Sequence, residues 1–144
     1  DGEAVQTFHR TVYRVHQRVA KSFVEGRVML IGDACHLNNP IGGFGMNSGV
    51  HDAFNLAEKL LPAIAVGKPN GSLALFDRQR RTVTHAFTQA QTMQNMEFLK
   101  GGADQAHDRR RAEMQAINDD DARRRAYLLR QSMFESLDQA AAIE

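Results

Sequence analysis

One cysteine, three prolines and no long apolar run are what this 144-residue sequence has least of. The lone Cys35 excludes an internal disulfide framework and fits a reducing compartment, so a cytoplasmic protein is expected. A membrane-spanning helix needs about 20 consecutive apolar residues. No such stretch is present, and no signal-peptide pattern opens the chain. Lys and Arg number 18 against 17 Asp and Glu, so the net charge of +1 provides no general field to attract nucleic acid. Repeats and low-complexity segments are also missing. The composition is that of a globular domain, and the length suits one with a real core. Asp1 is not a methionine, and the opening residues read like the interior of a larger fold. A fragment or processed piece is therefore expected.

The organisation follows from periodicity. Thr11, Tyr13 and Val15 alternate with Val12, Arg14 and His16, which predicts a strand with one polar face. Glu25 and Gly26 supply a turn, and Val28 to Ile31 reads as a short strand buried on both faces, paired antiparallel through Gly26. Val50, Ala53, Phe54, Ala57, Leu60, Leu61 and Ile64 recur at three and four, predicting a helix with one apolar stripe. Pro62, Gly67 and Pro69 are expected to end it. Ser72 is a candidate N-cap for a second helix. Its stripe of Leu73, Phe76, Val83, Phe87, Ala90 and Met93 runs to about Leu99, where Gly101 and Gly102 break it. Beyond lies a charged, helical region. Asp119, Asp120 and Asp121 suit a helix N-terminus, and Tyr127, Leu128, Leu129, Met133, Phe134, Leu137 and Ala141 form the last apolar face. Residues 1–66 thus form a strand–loop–helix unit and residues 67–144 a helical one. Two strands make no stable open sheet alone, so further strands are expected elsewhere.

The run GRVMLIGDACHLNNPIGGFGMNSGVHDAFNLAEKL, Arg27 to Leu61, carries most of the chemical information. It places Gly32 and Asp33 at the end of a strand. A glycine-punctuated loop from Pro40 to Gly45 follows, and a helix opens around Met46 and Asn47. A carboxylate at a strand end can accept hydrogen bonds from sugar or polyol hydroxyls, and helix N-terminal N–H groups stabilise negative charge. The bland alternative is a solvated turn and an ordinary tight loop. Gly43, Gly45 and Gly49 approach a pyrophosphate fingerprint, but that fingerprint follows a strand directly and this loop does not, so a pyrophosphate site is rejected. The glycines still permit close backbone approach to a flat ligand.

Other candidates carry less. Cys35, His36 and His51 lack the spacing of a metal site, and Cys35 is expected to pack as a small apolar residue under the loop. Arg78, Arg80 and Arg81, with Arg109–Arg111 and Arg123–Arg125, are interleaved with acids and read as exposed, ion-paired helix faces. Met93, Met96, Met114 and Met133 read as core or interface filler.

The Arg27–Leu61 segment closely resembles the second flavin-contacting motif of the FAD-dependent aromatic hydroxylases, the single-component flavoprotein monooxygenases. Their version is a strand, GDAAH, a Pro-x-x-G loop, a Gly-x-Asn turn and a helix with DA-x-N-L. The matching residues are Gly32, Asp33, Ala34, His36, Pro40, Gly43, Gly45, Asn47, Gly49, Asp52, Ala53, Asn55 and Leu56, with Cys35 in place of an alanine. YRVHQRVAKSF before it and LFDRQRR after it also look like this family, so the resemblance covers about Thr11 to Arg81.

The resemblance implies an α/β fold, the C-terminal part of a FAD-binding Rossmann-like domain, predominantly helical as a fragment. It implies a cofactor site at Gly32, Asp33, Pro40, Gly43, Gly45, Met46 and Asn47. Asp33 would bond the ribityl hydroxyls of FAD, the Pro40 loop would line the isoalloxazine, and the backbone at Gly45, Met46 and Asn47 would meet its pyrimidine edge. NAD(P)H would be the reductant and dioxygen the oxidant. A flavin C4a-hydroperoxide would hydroxylate a phenol-like aromatic substrate. The family's N-terminal βαβ unit and most of its substrate-binding sheet have no counterpart here, so no catalytic acid or base is assigned, and the chain alone is expected not to hold FAD tightly. The expected partners are that missing N-terminal part and a second copy docked through the C-terminal helices, with no nucleic acid and no membrane. The alternatives are a flavin-dependent reductase or halogenase on the same scaffold, or a non-catalytic helical assembly module.

Overall fold

The computed structural model describes residues 7–12, 14–67, 71–100 and 104–144. The chain is α/β and predominantly helical. Four two-residue strands come first: β1 (Arg18–Val19), β2 (Val24–Glu25), β3 (Val28–Met29) and β4 (His36–Leu37). β2 pairs antiparallel with β3, and β1 with β4. Gly26, at φ +56°, makes the β2–β3 turn as expected, since the first position of a two-residue hairpin loop favours positive φ. A 3-10 turn, Gly32–Ala34, connects β3 to β4. The helices follow: α1 (Phe44–Val66), α2 (Ser72–Val83), a π-helical turn (Thr84–Gln89), α3 (Ala90–Lys100), α4 (Asp104–Asn118), α5 (Asp121–Gln131) and α6 (Phe134–Ala141).

Two apolar clusters form the core. One joins Phe44, Val83, Phe87, Met133 and Ala140, with the Phe44 and Phe87 rings edge to face at 6.0 Å. The other joins Phe23, Cys35 and Phe76, with Val19, Leu30 and Leu56 against it. On α1 the residues Phe44, Ser48, Asp52 and Leu56 share a face at intervals of one turn, and on α2 Phe76, Arg80 and Val83 do likewise. The ends of each face therefore reach opposite clusters. Between them lies a polar middle of Ser48, Asp52 and Arg80, all fully buried.

Several expectations need correction. Described residues from Thr11 to Val15 form no strand, and Tyr13 lies outside the described residues; Val12 is 89% exposed, and no strand among the described residues pairs with it. β3 is shorter than expected, and Val28 is 61% exposed, so it is not buried on both faces. α1 begins at Phe44, ahead of Met46 and Asn47, because Gly43 takes the left-handed conformation at φ +70° and starts the helix there. The apolar stripe of α1 does not face the core: Val50, Phe54, Leu61 and Ile64 are exposed, while Ser48, Asp52 and Ala63 are buried. Pro62 does not stop α1, which runs on to a left-handed Gly67. Ser72 is the first helical residue, not the cap, and its hydroxyl donates to Lys59 O at 3.0 Å.

The second helix is not uniformly α, since a π-helical turn intervenes at residues 84–89. There the buried face is completed by Thr84, Thr88, Gln91 and Thr92, whereas Met93 is 53% exposed. The last apolar face is divided between α5 and α6 by Met133 in the left-handed conformation. Leu128, Leu129, Phe134 and Leu137 are exposed, and Met133 alone of the larger ones is buried. The aspartate expectation holds, with Asp120 capping α5 by accepting from Ala122 N at 2.9 Å and Arg123 N at 3.0 Å. Pro69, Gly101 and Gly102 lie outside the described residues.

Pro62 has no N–H to offer the carbonyl of Glu58 and sits on the exposed side of α1. Pro62→Ala is therefore expected to stabilise the fold by about 1–3 kcal/mol, read as a higher urea midpoint with unchanged slope. A lower midpoint would show that the proline fits a bend the helix requires.

Candidate cofactor site

The centre of the molecule is Asp52. Its Oδ2 accepts from His36 Nε2 at 2.7 Å and from Gly32 N at 3.0 Å, and its Oδ1 accepts from Arg80 Nε at 2.7 Å. His36, Asp52 and Arg80 are all fully buried side chains. Burial pushes the Asp52 carboxyl up, but the His36 hydrogen bond, the Arg80 guanidinium and the Gly32 N–H outweigh it and hold the group below the usual carboxylate range. Asn38 Nδ2 donates to His36 Nδ1 at 3.1 Å, and Asn38 Oδ1 is occupied by Gln89. That amide orientation leaves the His36 proton on Nε2, where it faces Asp52.

Arg80 is thus the largest departure from the sequence reading. It was expected on an exposed face and is fully buried, because the carboxylate it needs lies on another helix. Its Nη2 also reaches Ser48 O at 3.4 Å. Arg81 behaves as expected, pairing with Asp77 one turn earlier at 3.0 Å.

Cys35, His36 and Asp52 place one donor atom each within 4.8 Å of one another, the geometry of a small metal cluster. The chemistry of the donors opposes a cation there. Burial and the neighbouring Asp52 carboxylate push the Cys35 thiol up to about 12, so it is not a thiolate near neutrality. Both Asp52 oxygens are already engaged, one by a guanidinium. Cys35 sits at 2% exposure against Phe23 and Phe76, the apolar packing role expected of it.

This core positions the sequence-predicted residues. The Gly32 N–H bond to Asp52 seats the 3-10 turn against α1, and a Cβ on Gly49 would lie only 3.1 Å from Gly32 Cα. Asp33 follows on that turn, exposed, with no side-chain partner among the described residues. Gly49 lies one helical turn, about 6 Å of rise, from Gly45. The turn bearing Asp33 and the start of α1 are accordingly neighbours.

The loop from Pro40 to Gly43 is held by amide side chains that the sequence reading did not single out. Asn39 is buried; its Oδ1 accepts from Ile41 N at 3.1 Å, and its Nδ2 donates to Thr92 O at 3.0 Å and Gln17 Oε1 at 3.1 Å. Asn95 Nδ2 donates to Ile41 O at 3.3 Å. No spacing rule links residues 17, 39, 92 and 95, so only the fold brings them together. Gly43 N donates to Pro40 O at 3.1 Å, and Asn47 Nδ2 donates back to Gly43 O at 2.9 Å.

α1 therefore starts with no side-chain cap and no acidic residue in its first turn. The N–H groups of Phe44, Gly45 and Met46 have no partner within the helix by its geometry. A Cβ built on Gly43 or Gly45 meets nothing within 4 Å, so the backbone there is open to a flat ligand. The donor set fits a flavin: backbone N–H groups for a carbonyl-bearing ring edge, and an unpartnered carboxylate for a polyol.

Comparison with known proteins points the same way. A family described as FAD binding domain matches residues 2–91. Para-nitrophenol 4-monooxygenase of Pseudomonas sp. (strain WBC-3) is 44% identical over 92 residues, which are 64% of this chain and 23% of that protein. A 3-(3-hydroxy-phenyl)propionate/3-hydroxycinnamic acid hydroxylase of Mycolicibacterium smegmatis is 40% identical over 91 residues, 63% of this chain and 16% of that protein. The crystal structure of p-nitrophenol 4-monooxygenase from Pseudomonas putida DLL-E4 superposes with a TM-score of 0.77 at 38% identity, covering 87% of this chain and 31% of that one. The chain thus spans less than a third of the length of each of these relatives.

The Asp52 ion pair has a pH signature. Its proton binds at higher pH in the unfolded chain than in the fold, so its stabilisation is full above the ordinary aspartate value of about 3.9 and is lost as pH falls through the lower folded value. Urea midpoints of the native chain should fall across that acid window. Asp52→Asn should start about 3–5 kcal/mol lower at neutral pH, because Arg80 is left buried without its counter-charge, and should show a shallower acid limb. Parallel limbs would remove Asp52 from the titration.

Proposed function

We propose, since this chain belongs to the FAD binding domain family and to the FAD-dependent aromatic hydroxylases within it, that it supplies the flavin-contacting portion of a monooxygenase acting on a phenol-like ring. One observation carries the reading: an exposed, unpartnered Asp33 beside an uncapped, acid-free start of α1. Bound FAD would supply the redox chemistry, taking reducing equivalents from NAD(P)H and activating dioxygen for transfer of one oxygen atom to the ring.

The chain's own residues would bind and orient. Asp33 accepts hydrogen bonds from ribityl hydroxyls. Gly43 and Gly45 leave the backbone bare, so the ring edge can approach the N–H groups of Gly45 and Met46. Those donors are fixed before the ligand arrives, and they favour the anionic reduced ring without reorganising. Asn47 holds the loop closed through Gly43 O, and Pro40 stiffens its entrance. Gly32 anchors the turn to Asp52 so that Asp33 points outward from a rigid base.

The relatives named as nitrophenol and hydroxyphenylpropionate hydroxylases support an aromatic substrate. The exposed apolar side chains Leu128, Leu129, Phe134 and Leu137 on α5 and α6 favour, as a second function of the same chain, contact with a second copy. No helix among the described residues is long and apolar enough to cross a membrane, and a cytoplasmic setting is part of this proposal.

Asp33→Ala tests the flavin reading. In the full-length protein, FAD affinity, measured by quenching of flavin fluorescence on titration, should fall about 10- to 100-fold, the range for losing charge-assisted hydrogen bonds. Circular dichroism and the light-scattering mass should be unchanged. Equal FAD affinity in the variant would sink the role given to Asp33.

A further inference from the structure

Gln89, the last residue of the π-helical turn, bonds to segments 51 to 72 residues earlier in the chain. Such turns inside α-helices recur at functional sites. From one nitrogen, Nε2, its side chain donates to Leu37 O at 3.1 Å and to Asn38 Oδ1. Its backbone oxygen accepts from Gln17 Nε2 at 3.0 Å, and Gln17 Oε1 accepts in turn from Asn39 Nδ2 at 3.1 Å. One residue therefore reaches both halves of the candidate flavin site. The backbone arm runs through Gln17 and Asn39 to the Pro40 loop, where Asn39 Oδ1 holds Ile41 N. The side-chain arm runs through Asn38 and His36 to Asp52, and from there to the Gly32 turn that carries Asp33.

The protons of the side-chain arm are fixed from both ends. Leu37 O is a backbone carbonyl and can only accept, so the Gln89 atom facing it is the amide nitrogen. The same nitrogen faces Asn38, so the Asn38 atom there is the oxygen. That turns the Asn38 nitrogen to His36 Nδ1, which accepts at 3.1 Å, and the ring proton stays on Nε2. At the far end the Asp52 carboxylate also only accepts, and it receives the Nε2 proton at 2.7 Å. Both ends demand one arrangement, and a single tautomer of His36 satisfies it. A bare Nε2 would instead set a lone pair against the carboxylate that holds Gly32 N. We propose that Gln89 is a positioning residue of the flavin site, holding His36 in its Nε2-protonated tautomer through Asn38 and so fixing the Asp52–Gly32 anchor beneath Asp33. The consequence for FAD rests on the flavin reading; the placement of the His36 proton rests on the hydrogen bonds alone.

Nuclear magnetic resonance of the full-length protein, isotope-labelled in its histidine rings and with His36 assigned through its backbone, tests this. Native His36 should be protonated at Nε2 and bare at Nδ1. Glu at position 89 can only accept, so in Gln89→Glu the Asn38 nitrogen turns to it and Asn38 Oδ1 faces the ring. His36 should then carry protons on both nitrogens. Should that variant fail to fold, Asn38→Asp carries the test: it keeps an acceptor for Gln89, sets a second against Nδ1 and should give the same doubly protonated ring. Gln89→Met keeps the shape of glutamine and donates nothing, so FAD affinity should fall about three- to tenfold, the loss of one or two net hydrogen bonds. Gln139→Met, the same change at an exposed position on α6, should leave that affinity unchanged. A ring still bare at Nδ1 in the folded Gln89→Glu or Asn38→Asp variant would overturn the proposal, as would native FAD affinity in Gln89→Met. Native FAD affinity in Asp33→Ala beside a doubly protonated ring in Gln89→Glu would remove the flavin reading and leave the hold of Gln89 on His36 standing. Weakened FAD binding in Asp33→Ala beside an unchanged ring in Gln89→Glu would do the reverse.

Discussion

A carboxylate buried between a guanidinium and an imidazole is the constraint on which the rest of this chain depends. Asp52 joins α1 to α2 through Arg80, to β4 through His36 and to the 3-10 turn through Gly32. Removing these charges from water is costly, and such a pair commonly adds little net stability over an apolar substitute. Its contribution is to register. With each carboxylate oxygen already assigned, the Asp52–Arg80 pair fixes how α1 sits against α2. The flanking clusters around Phe44 and Phe76 then pack at either end of the same faces.

That register is what makes the candidate site rigid. Asp33 sits directly after Gly32, whose N–H is held by the buried Asp52, so the exposed carboxylate is tied to the core. The Pro40–Gly43 loop is tied from beneath by Asn39 and Asn95 instead of by its own apolar content. Acidic side chains are kept out of the first turn of α1, which leaves its partial positive charge unneutralised. The buried carboxylate of this helix lies about two turns further on, at Asp52, where Arg80 pairs with it. The result is a surface that is electropositive at the helix start and carries a single free carboxylate at the strand end.

The turns and helix ends were legible because they are local. Gly26, Gly43 and Asp120 each do what their residue type predicts within a few residues of chain: a hairpin turn, a left-handed helix entry, a cap. The helix stripes were legible as helices but not as faces. Val50, Phe54, Leu61 and Ile64 have the period of a core stripe, yet the buried side of α1 is the narrow one of Ser48, Asp52 and Ala63. Small residues on that side let the 3-10 turn come close, and the partners of Asp52 on that turn and on α2 lie there. Arg80 was misjudged for the same reason. An arginine beside two others in a charged helix reads as solvated unless its partner, 28 residues earlier, is known.

By itself the sequence determined the class of elements, the family motif and the chemical character of the loop, since turns, caps and glycine conformations are set by short-range sterics. Only the tertiary structure decided which side of α1 is covered, that Arg80 and not an apolar residue meets Asp52, and that Gln17, Asn39 and Asn95 brace the loop. Burial and long-range pairing depend on which surfaces meet, and periodicity along one helix holds no information about the partner it will face.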